Sequence, residues 1–239
     1  MKGFLIALQF LTRLPGPRLT VSDQEFARSI LWFPAVGLVV GLFVAGAAVA
    51  GARIDAWTGA LAALVAWVAV TGALHLDGLG DVADAMGAAH KDRTRVLAVL
   101  ADPHVGSFGV TAIAVQLLAK LVLLHGLVEQ GLILPLLLIP FAARIGPLAW
   151  TLWLEPLHQG LGARFREAVA ARHLAEWSAI LLAACWLVPA LGAAFPLALL
   201  WLWWIRISLG GISGDGHGAG IEMMETGLLL ATLVWMVIR

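Results

Sequence analysis

The fold is decided by the stretch SILWFPAVGLVVGLFVAGAAVA, residues 29–50, which contains 22 residues and no charged side chain. The hydrocarbon core of a bilayer is about 30 Å thick, and a helix needs about 20 apolar residues to cross it. This stretch therefore predicts a membrane-spanning helix. Six more stretches of similar character follow along the chain: 57–75, 107–128, 132–153, 175–190, 191–208 and 224–238.

The composition of the whole chain agrees with a membrane protein. Of its 239 residues, 61% are hydrophobic and 13% are charged, whereas soluble domains carry about 25% charged residues. We predict an all-α fold, a polytopic helical bundle that forms a single membrane-embedded domain over residues 1–239. It has seven spans, or six if the two short stretches around LVPALGAAFP, residues 187–196, form one bent element.

Several other classes of protein are disfavoured. The formal net charge is zero, so the basic footprint of a nucleic-acid-binding protein is missing. A single cysteine excludes an intrachain disulfide. The segment MKGFLIALQFLTRLP, residues 1–15, has no typical signal-peptide cleavage site and predicts an interfacial or re-entrant element. The expected partners are the lipid bilayer and small molecules, and the sequence allows a homo-oligomer.

The distribution of basic residues predicts the orientation. If the N-terminus is cytoplasmic, 11 of the 15 lysines and arginines fall in cytoplasmic segments, and only Arg53 and Arg239 lie outside. This bias satisfies the positive-inside rule. Most acidic residues fall on the same side, so we expect the chemistry to take place at the cytoplasmic face.

The segment HLDGLGDVAD, residues 75–84, carries the first chemical signal. Asp77, Asp81 and Asp84 are spaced i, i+4, i+7, which places them on one face of a helix. Three carboxylates on one face repel one another unless a cation neutralises them, and oxygen ligands favour Mg²⁺ or Mn²⁺ shared with substrate phosphates. The alternative is a solvated acidic helix end.

The segment KDRTRVLAVLADPHVGSFG, residues 91–109, carries the second signal. Arg93 and Arg95 are candidates to hold phosphates, and Asp102 could complete a metal site. The alternative for the two arginines is a cytoplasmic anchor of the neighbouring spans.

The segment LGGISGDGHGAGIEMME, residues 209–225, contains six glycines, and each costs about 1 kcal/mol in a helix interior. It predicts a loop that presents backbone N–H groups to a phosphate, flanked by Asp215 and Glu222. The alternative is close packing of glycines spaced four residues apart against neighbouring spans.

Two cations lie within predicted spans, where a charge indicates a function and a nearby partner. Lys120 could instead extend to the membrane interface. Arg144 lies between Pro140 and Pro147, which predict a kink that exposes it to a polar cavity.

Together these segments resemble the cobalamin synthase family. HLDGLGDVADA at 75–85 is similar to the family's His-Leu-Asp-Gly-Leu-x-Asp-x-x-Asp signature, and LGGISGDGHGAGIE at 209–222 to its Gly-Gly-x-x-Gly-Asp-x-x-Gly-Ala-x-x-Glu. DRTRVLAVLADPHVGSFG at 92–109, FLIALQFLTRLPGP at 4–17 and RSILWFPAVGLVVGL at 28–42 also resemble the family, in family order.

The resemblance implies a Mg²⁺-dependent transferase of a late step of vitamin B12 biosynthesis, a multi-pass protein of the bacterial inner membrane. The family joins adenosylcobinamide-GDP to α-ribazole, or to its 5′-phosphate, and releases GMP. The residues expected to be catalytic are Asp77, Asp81 and Asp84. The residues expected to bind metal are Asp77, Asp81, Asp84, Asp215 and Glu222. The residues expected to bind substrate are His75, Arg93, Arg95, Asp102, Lys120, Asp215, Gly218 and Glu222.

Two functions of other classes compete with the transferase. In a cation-coupled transporter, the charged residues within spans would line a permeation path and the glycine segment would be a broken helix. The absence of a convincing internal repeat disfavours this alternative. The other is a structural membrane subunit without catalysis.

Overall fold

A computed structural model describes residues 1–88, 93–100, 102, 104–157 and 160–238, with the backbone alone described at 88, 93–95, 161 and 162. The described residues form α-helices joined by short turns, with 3₁₀ turns at Ile30–Trp32 and Pro189–Ala193. The α-helices are α1 (Lys2–Leu11), α2 (Asp23–Ser29), α3 (Phe33–Gly51), α4 (Ala56–Thr71), α5 (Leu74–Ala88), α6 (Arg93–Leu100), α7 (Ser107–Glu129), α8 (Ile133–Ala143), α9 (Gly146–Trp153), α10 (Leu161–Arg166), α11 (Ala171–Cys185), α12 (Ala194–Ser208) and α13 (Gly214–Ile238).

Five helical segments in the described part of the chain are long and apolar enough to cross a membrane, and a bent pair, α4 with α5, would make six. The all-α polytopic fold is therefore confirmed. The predicted stretch 175–190 corresponds to α11, which is not among these five segments because it has only 15 residues and begins in the polar sequence ARHLAEW. A straight helix of that length is about 22 Å long, shorter than the hydrocarbon core of about 30 Å. The five segments are Asp23–Gly51, Ser107–Glu129, Ile133–Trp153, Pro189–Ser208 and Gly214–Ile238.

The break between α4 and α5 determines where the acidic segment lies. The predicted span 57–75 ends early, at Thr71, because Gly72 and Ala73 both adopt left-handed backbone conformations, with φ of 60° and 59°. Glycine suits this conformation, and a Cβ at residue 72 would also meet the side chain of Arg13. The chain turns by 85° and continues as α5.

The centre of the bundle is apolar and closely packed. In α3, the buried residues Val36, Val40, Val44 and Ala48 recur every four positions and have no exposed surface. This stripe lies on the face that α3 turns towards the core, and the helix packs most extensively against α4 and α8. Large apolar side chains on the outside of the bundle, such as Leu118 on α7, remain exposed, as expected for surfaces that contact lipid.

The polar segments meet at one end of the bundle. The backbone N–H of Arg13 donates to Val70 O at the end of α4, and Arg164 on α10 pairs with Asp23 on α2 at 3.0 Å. The segment before α13 joins the same end, because Ile212 exchanges backbone hydrogen bonds with the segment that follows α9.

The predicted glycine loop is much shorter than residues 209–225. Only residues 209–213 lie outside a helix, and α13 begins at Gly214. The prediction of a loop over the whole segment was wrong, because packing outweighs the low helix propensity of glycine. A Cβ at Gly220 would lie 2.5 Å from the Trp201 indole nitrogen, so α13 can approach α12 only without one.

Candidate active site

Four aspartates gather where α5 meets the start of α13. Asp77, Asp81 and Asp84 follow one another along α5, which is helical as their spacing predicts. Asp215 lies in the first turn of α13. Asp81 is partly buried, and the carboxylates of the other three all act on it electrostatically. We call Asp77, Asp81, Asp84 and Asp215 the aspartate cluster.

Gly78 allows the two helices of the aspartate cluster to approach each other. A Cβ at this position would lie 2.9 Å from the Cα of Asp215 and 2.8 Å from its carbonyl oxygen. Both contacts are with backbone atoms, which cannot rotate away. The glycine therefore sets the distance between the acidic face of α5 and Asp215.

We expect Gly78→Ala to lower the GMP-releasing activity that the family resemblance implies by about tenfold or more, because overpacking by one methyl group at a backbone contact costs about 1–3 kcal/mol and displaces Asp215. The measurement is steady-state GMP release by purified protein in detergent. Gly46→Ala on α3 is the matched control, since a Cβ there has no neighbour within 4 Å. Equal rates for the two variants would contradict this role of Gly78.

Asp84 has a structural role in addition to its charge. The backbone N–H of Gly106 donates to Asp84 Oδ2 at 2.7 Å, and the N–H of Gly109 donates to Asp84 Oδ1 at 2.9 Å. Gly106 is the residue that caps the start of α7. Asp84 thus supplies from α5 the carboxylate that stabilises the N-terminus of α7. Because both oxygens already accept a hydrogen bond, it is less available to metal or substrate than a prediction from spacing suggests.

A cavity of about 110 Å³ opens beside the aspartate cluster. It brings together four of the residues predicted to bind metal or substrate, which are His75, Asp77, Asp215 and Gly218. The rest of its wall is mainly apolar and includes three phenylalanines. The remaining lining residues are Phe10, Leu11, Phe33, Leu74, Phe165, Gly214, His217 and Ile221. We call this space the phenylalanine cavity.

Lys120 and Glu222 lie in a separate group in the bundle core. Lys120 Nζ is 2.7 Å from Glu222 Oε2 and 2.6 Å from Glu225 Oε2, and Arg144 Nη1 is 2.8 Å from Glu225 Oε1. Gln116 Nε2 donates to Glu222 Oε2 at 2.8 Å. All five side chains are at least 95% buried. We call this group the ion-pair network.

The ion-pair network bears on several predictions. Glu222 is paired with Lys120, and both side chains are buried away from the phenylalanine cavity, so their roles towards metal and substrate stay predictions. Lys120 does not extend to the interface, because it is 2% exposed and lies 4.4 Å from the centroid of the Trp67 ring. The predicted break near Arg144 is present between α8 and α9, but the arginine is fully buried and does not face a polar cavity. The prediction that the two cations within spans have acidic partners nearby is confirmed.

The segment between α5 and α7 contributes less to the described site. Arg93 and Arg95 begin α6, but their side chains lie outside the described residues. Asp102 is exposed, and its carboxylate is 2.7 Å from Nδ1 of His104, which is more exposed still. This hydrogen bond lowers the pKa of Asp102 from its ordinary value. No contact of Asp102 with the aspartate cluster is observed among the described residues.

The aspartate cluster fits Mg²⁺ in the way that phosphoryl-transfer sites usually hold it. Among the described residues, no three histidine, cysteine or acidic side chains converge closely enough to form a metal site by themselves. Mg²⁺ is commonly held by one or two carboxylates together with waters and substrate phosphates, so it needs no such cage. Asp77 and Asp215 line one cavity, and Asp81 is adjacent to both.

The fold and the site define a class: a polytopic helical membrane protein with a cluster of acidic side chains at one end of its bundle. Within this class, the chain belongs to the cobalamin-5-phosphate synthase family, whose family model matches residues 3–233. The family resemblance of the sequence motifs is thereby confirmed.

Curated relatives cover almost the whole chain. A protein of Novosphingobium aromaticivorans named adenosylcobinamide-GDP ribazoletransferase is 66% identical over 98% of this chain and 97% of its own length. Proteins of the same name from Thiobacillus denitrificans and Laribacter hongkongensis are 51% and 50% identical, over 96% and 98% of this chain and 94% and 97% of their own lengths. No solved structure matches the chain.

Proposed function

We propose that this protein is an adenosylcobinamide-GDP ribazoletransferase. It joins adenosylcobinamide-GDP to α-ribazole, or to its 5′-phosphate, and releases GMP. The product is adenosylcobalamin or its 5′-phosphate, formed in a late step of vitamin B12 biosynthesis. The observation that carries the proposal is full-length similarity to relatives of that name, in a chain whose acidic motifs meet in one cluster.

The reaction requires mainly that the two substrates are positioned and that the charge of the diphosphate is neutralised. A hydroxyl of the α-ribazole ribose attacks the corrinoid-side phosphorus of the diphosphate, and a new P–O bond forms. The P–O bond to GMP breaks, and GMP leaves with the electron pair. Holding the two substrates in line accounts for a large part of such a rate enhancement.

Asp77, Asp81 and Asp215 are proposed to hold Mg²⁺ against the diphosphate. When bound, the ion neutralises charge on the phosphoryl oxygens and on the departing GMP. The proton of the attacking hydroxyl passes to a carboxylate of the aspartate cluster. Asp84 is the poorest candidate for this role, because both of its oxygens already accept backbone hydrogen bonds.

We further propose that the protein lies in the bacterial inner membrane with its aspartate cluster at the cytoplasmic face. The support is the distribution of basic residues, since 11 of 15 fall in segments on the side of the acidic motifs.

We expect purified protein in detergent to release GMP from adenosylcobinamide-GDP only when α-ribazole and a divalent metal are both present. Removing the metal with EDTA should abolish the release, and adding excess Mg²⁺ should restore it. The measurement is chromatographic detection of GMP together with the cobalamin product. GMP formed without α-ribazole would indicate a hydrolase. Undiminished GMP release in EDTA would exclude a requirement for a divalent metal.

The transporter alternative is not supported by the comparisons. In addition, Lys120 and Arg144, the charged residues that suggested a permeation path, are paired with acids in a closed core. Ion-dependent uptake into liposomes, with no GMP formed by the same preparation, would restore this alternative. A structural subunit would show neither activity.

A further inference from the structure

Arg13 is held at the break between α4 and α5, next to the helix that carries the acidic residues. Its backbone N–H donates to Val70 O near the end of α4, at a distance of 2.7 Å. Its side chain lies across Gly72, since a Cβ on that glycine would be 2.6 Å from Arg13 Cγ and 2.9 Å from Arg13 Cδ. The absence of a side chain at Gly72 therefore leaves room for the Arg13 side chain against the break.

This contact places Arg13 close to the start of α5 and to its first aspartate. The N–H of Asp77 donates to the carbonyl of Ala73, the residue directly after the contacted glycine, at 2.9 Å. The two residues therefore lie one helical turn apart. Leu11, two residues before Arg13, and Leu74 both line the phenylalanine cavity, as does Asp77. Arg13 thus lies beside the cavity that the aspartate cluster borders.

The charge of Arg13 is not neutralised by an acidic side chain that the structure describes. The ion pairs among the described residues do not include Arg13, and its side chain is exposed. It does not stabilise α5 either, because a cation beside the N-terminus of a helix opposes the helix macrodipole. The guanidinium group and the start of α5 both create positive potential, and together they favour a bound anion.

The other cations considered for the diphosphate are placed differently. Lys120 is paired with two glutamates in the buried ion-pair network. The side chains of Arg93 and Arg95 lie outside the described residues. Arg13, by contrast, is accessible, is held from two sides, and has a charge that no described acid uses. A phosphate group bound between Arg13 and the aspartate cluster would account for this arrangement.

We propose that Arg13 binds the diphosphate of adenosylcobinamide-GDP and donates hydrogen bonds to the phosphate of GMP as it leaves. The inference rests on the proposed function and adds a catalytic residue to it. The P–O bond to GMP breaks, GMP takes the electron pair, and the guanidinium group balances the negative charge that develops on its phosphate oxygens. A planar guanidinium group presents two N–H groups to a phosphate at once, so it suits this role better than a point charge.

The first test compares Arg13→Met with Arg18→Met, using α-ribazole as the acceptor and purified protein in detergent. Arg18 is an exposed arginine of the same segment, and the described ion pairs do not include it, so it is the matched control. We expect Arg13→Met to lower kcat for GMP release by about 100-fold, because a charged hydrogen bond to a developing charge is lost. Arg13→Lys should lose only about tenfold, since it keeps the charge without the paired geometry. Arg18→Met should match the wild type.

Chemical rescue separates a contact with the substrate from a structural role. Arg13→Ala should regain part of its lost kcat when guanidinium chloride is added at concentrations far below those that unfold proteins. The free cation then takes the place of the missing side chain, whereas the wild type and Arg18→Met should not respond. A lowered thermal midpoint without any rescue would show that Arg13 only supports the break between α4 and α5, and would overturn the inference.

Binding of GMP makes the test independent of turnover. In calorimetric titrations with Mg²⁺ present, the wild type in detergent should bind GMP, and Arg13→Met should bind it about tenfold or more weakly. If Arg13→Met fails to elute as a single folded species, Arg13→Lys carries both the kinetic and the binding test. Equal affinity for GMP in the wild type and the folded variants would contradict the inference.

The acceptor and the membrane are two other sources of a phosphate group for Arg13. If Arg13 bound the 5′-phosphate of the acceptor, Arg13→Met would raise KM for α-ribazole 5′-phosphate and leave the reaction with α-ribazole unchanged. If it bound lipid headgroups, less of the variant would insert into the membrane, and the purified variant would release GMP at the wild-type rate. Either result would overturn the inference and leave the transferase intact. If the wild type releases no GMP but binds it through Arg13, the proposed function fails and the phosphate contact stands.

Discussion

Replacing Asp81 by asparagine is expected to reduce GMP release by about 1000-fold or more while the protein remains folded. Asp81 is the aspartate on which the other three carboxylates of the cluster act. A change to asparagine keeps the size of the side chain and removes the negative charge that attracts Mg²⁺. Without Mg²⁺, the charge of the phosphoryl group is not neutralised. Loss of several kcal/mol of transition-state stabilisation corresponds to a rate loss of this order.

The same variant should show a characteristic pattern of stability. Without metal, four carboxylates in close proximity repel one another, so removing one charge should leave the thermal midpoint equal to or above that of the wild type. Adding Mg²⁺ should stabilise the wild type, because a ligand that binds only the folded state raises its stability, and should have little effect on Asp81→Asn. The measurement is thermal unfolding in detergent with and without Mg²⁺.

Asp55→Asn is the matched control for Asp81→Asn. Asp55 lies at the opposite end of the bundle, where its side chain accepts the N–H of Thr58 at the start of α4, and asparagine caps a helix equally well. This variant should retain full activity and the Mg²⁺ response. Wild-type turnover in Asp81→Asn would contradict the assignment of the aspartate cluster as the catalytic centre.

The helical face of the aspartate cluster could be predicted from the sequence because it depends on local spacing. Asp77, Asp81 and Asp84 recur at i, i+4, i+7, and α5 realises that spacing directly. The association with Asp215 followed only from two motifs that resemble one family. The physical cause of that association is the close approach of α5 and α13 at Gly78. This approach depends on the backbone of another helix, so the sequence around Gly78 does not reveal it.

The role of Asp84 shows a limit of spacing arguments. The sequence predicts a cap from residues directly before a helix, but here the cap comes from 22 residues earlier, on a different helix. The glycines before and within the first turn of α7 were the available hint, since a Cβ at Gly106 or Gly109 would collide with the Asp84 carboxylate. The spacing of Asp84 alone predicted metal binding.

The glycine segment and the phenylalanine cavity illustrate contacts that the sequence leaves undetermined. Helix propensity predicted a loop over 209–225, but tertiary packing overrides propensity where Trp150 and Trp201 pack against Gly220 of α13. The cavity joins Phe10, Phe33, Phe165 and His217, which are separated by up to 207 positions and have no shared motif.

The ion-pair network leads to the second large effect. Glu225→Gln is expected to lower the free energy of unfolding by about 3–5 kcal/mol and the thermal midpoint by roughly 10 °C, because removing one charge of a buried pair leaves its partners uncompensated. Glu225 has no exposed surface and bridges Lys120 at 2.6 Å and Arg144 at 2.8 Å. Lys120 would then keep only Glu222, and Arg144 would lose the carboxylate with which it pairs among the described residues. The measurement is thermal unfolding in detergent followed by size-exclusion chromatography.

Glu129→Gln is the matched control, since it makes the same chemical change at an exposed position at the end of α7. A double variant, Lys120→Met with Glu225→Gln, tests the cause. It restores electrical neutrality in the network, so its loss of stability should be smaller than the sum of the two single losses. Additive losses would show that shape and packing, and not the balance of charge, hold Lys120 and Glu225 in the core.

The activity of Glu225→Gln separates the network from the catalytic centre. Below its unfolding transition, the folded variant should release GMP at a rate within about tenfold of the wild type, because Glu225 binds neither metal nor substrate in the proposed mechanism. Its response to Mg²⁺ should also persist. A loss of GMP release as large as that expected for Asp81→Asn, at full stability, would assign Glu225 to the chemistry. The predicted pattern is the reverse of that for Asp81→Asn, where activity is lost and stability is retained.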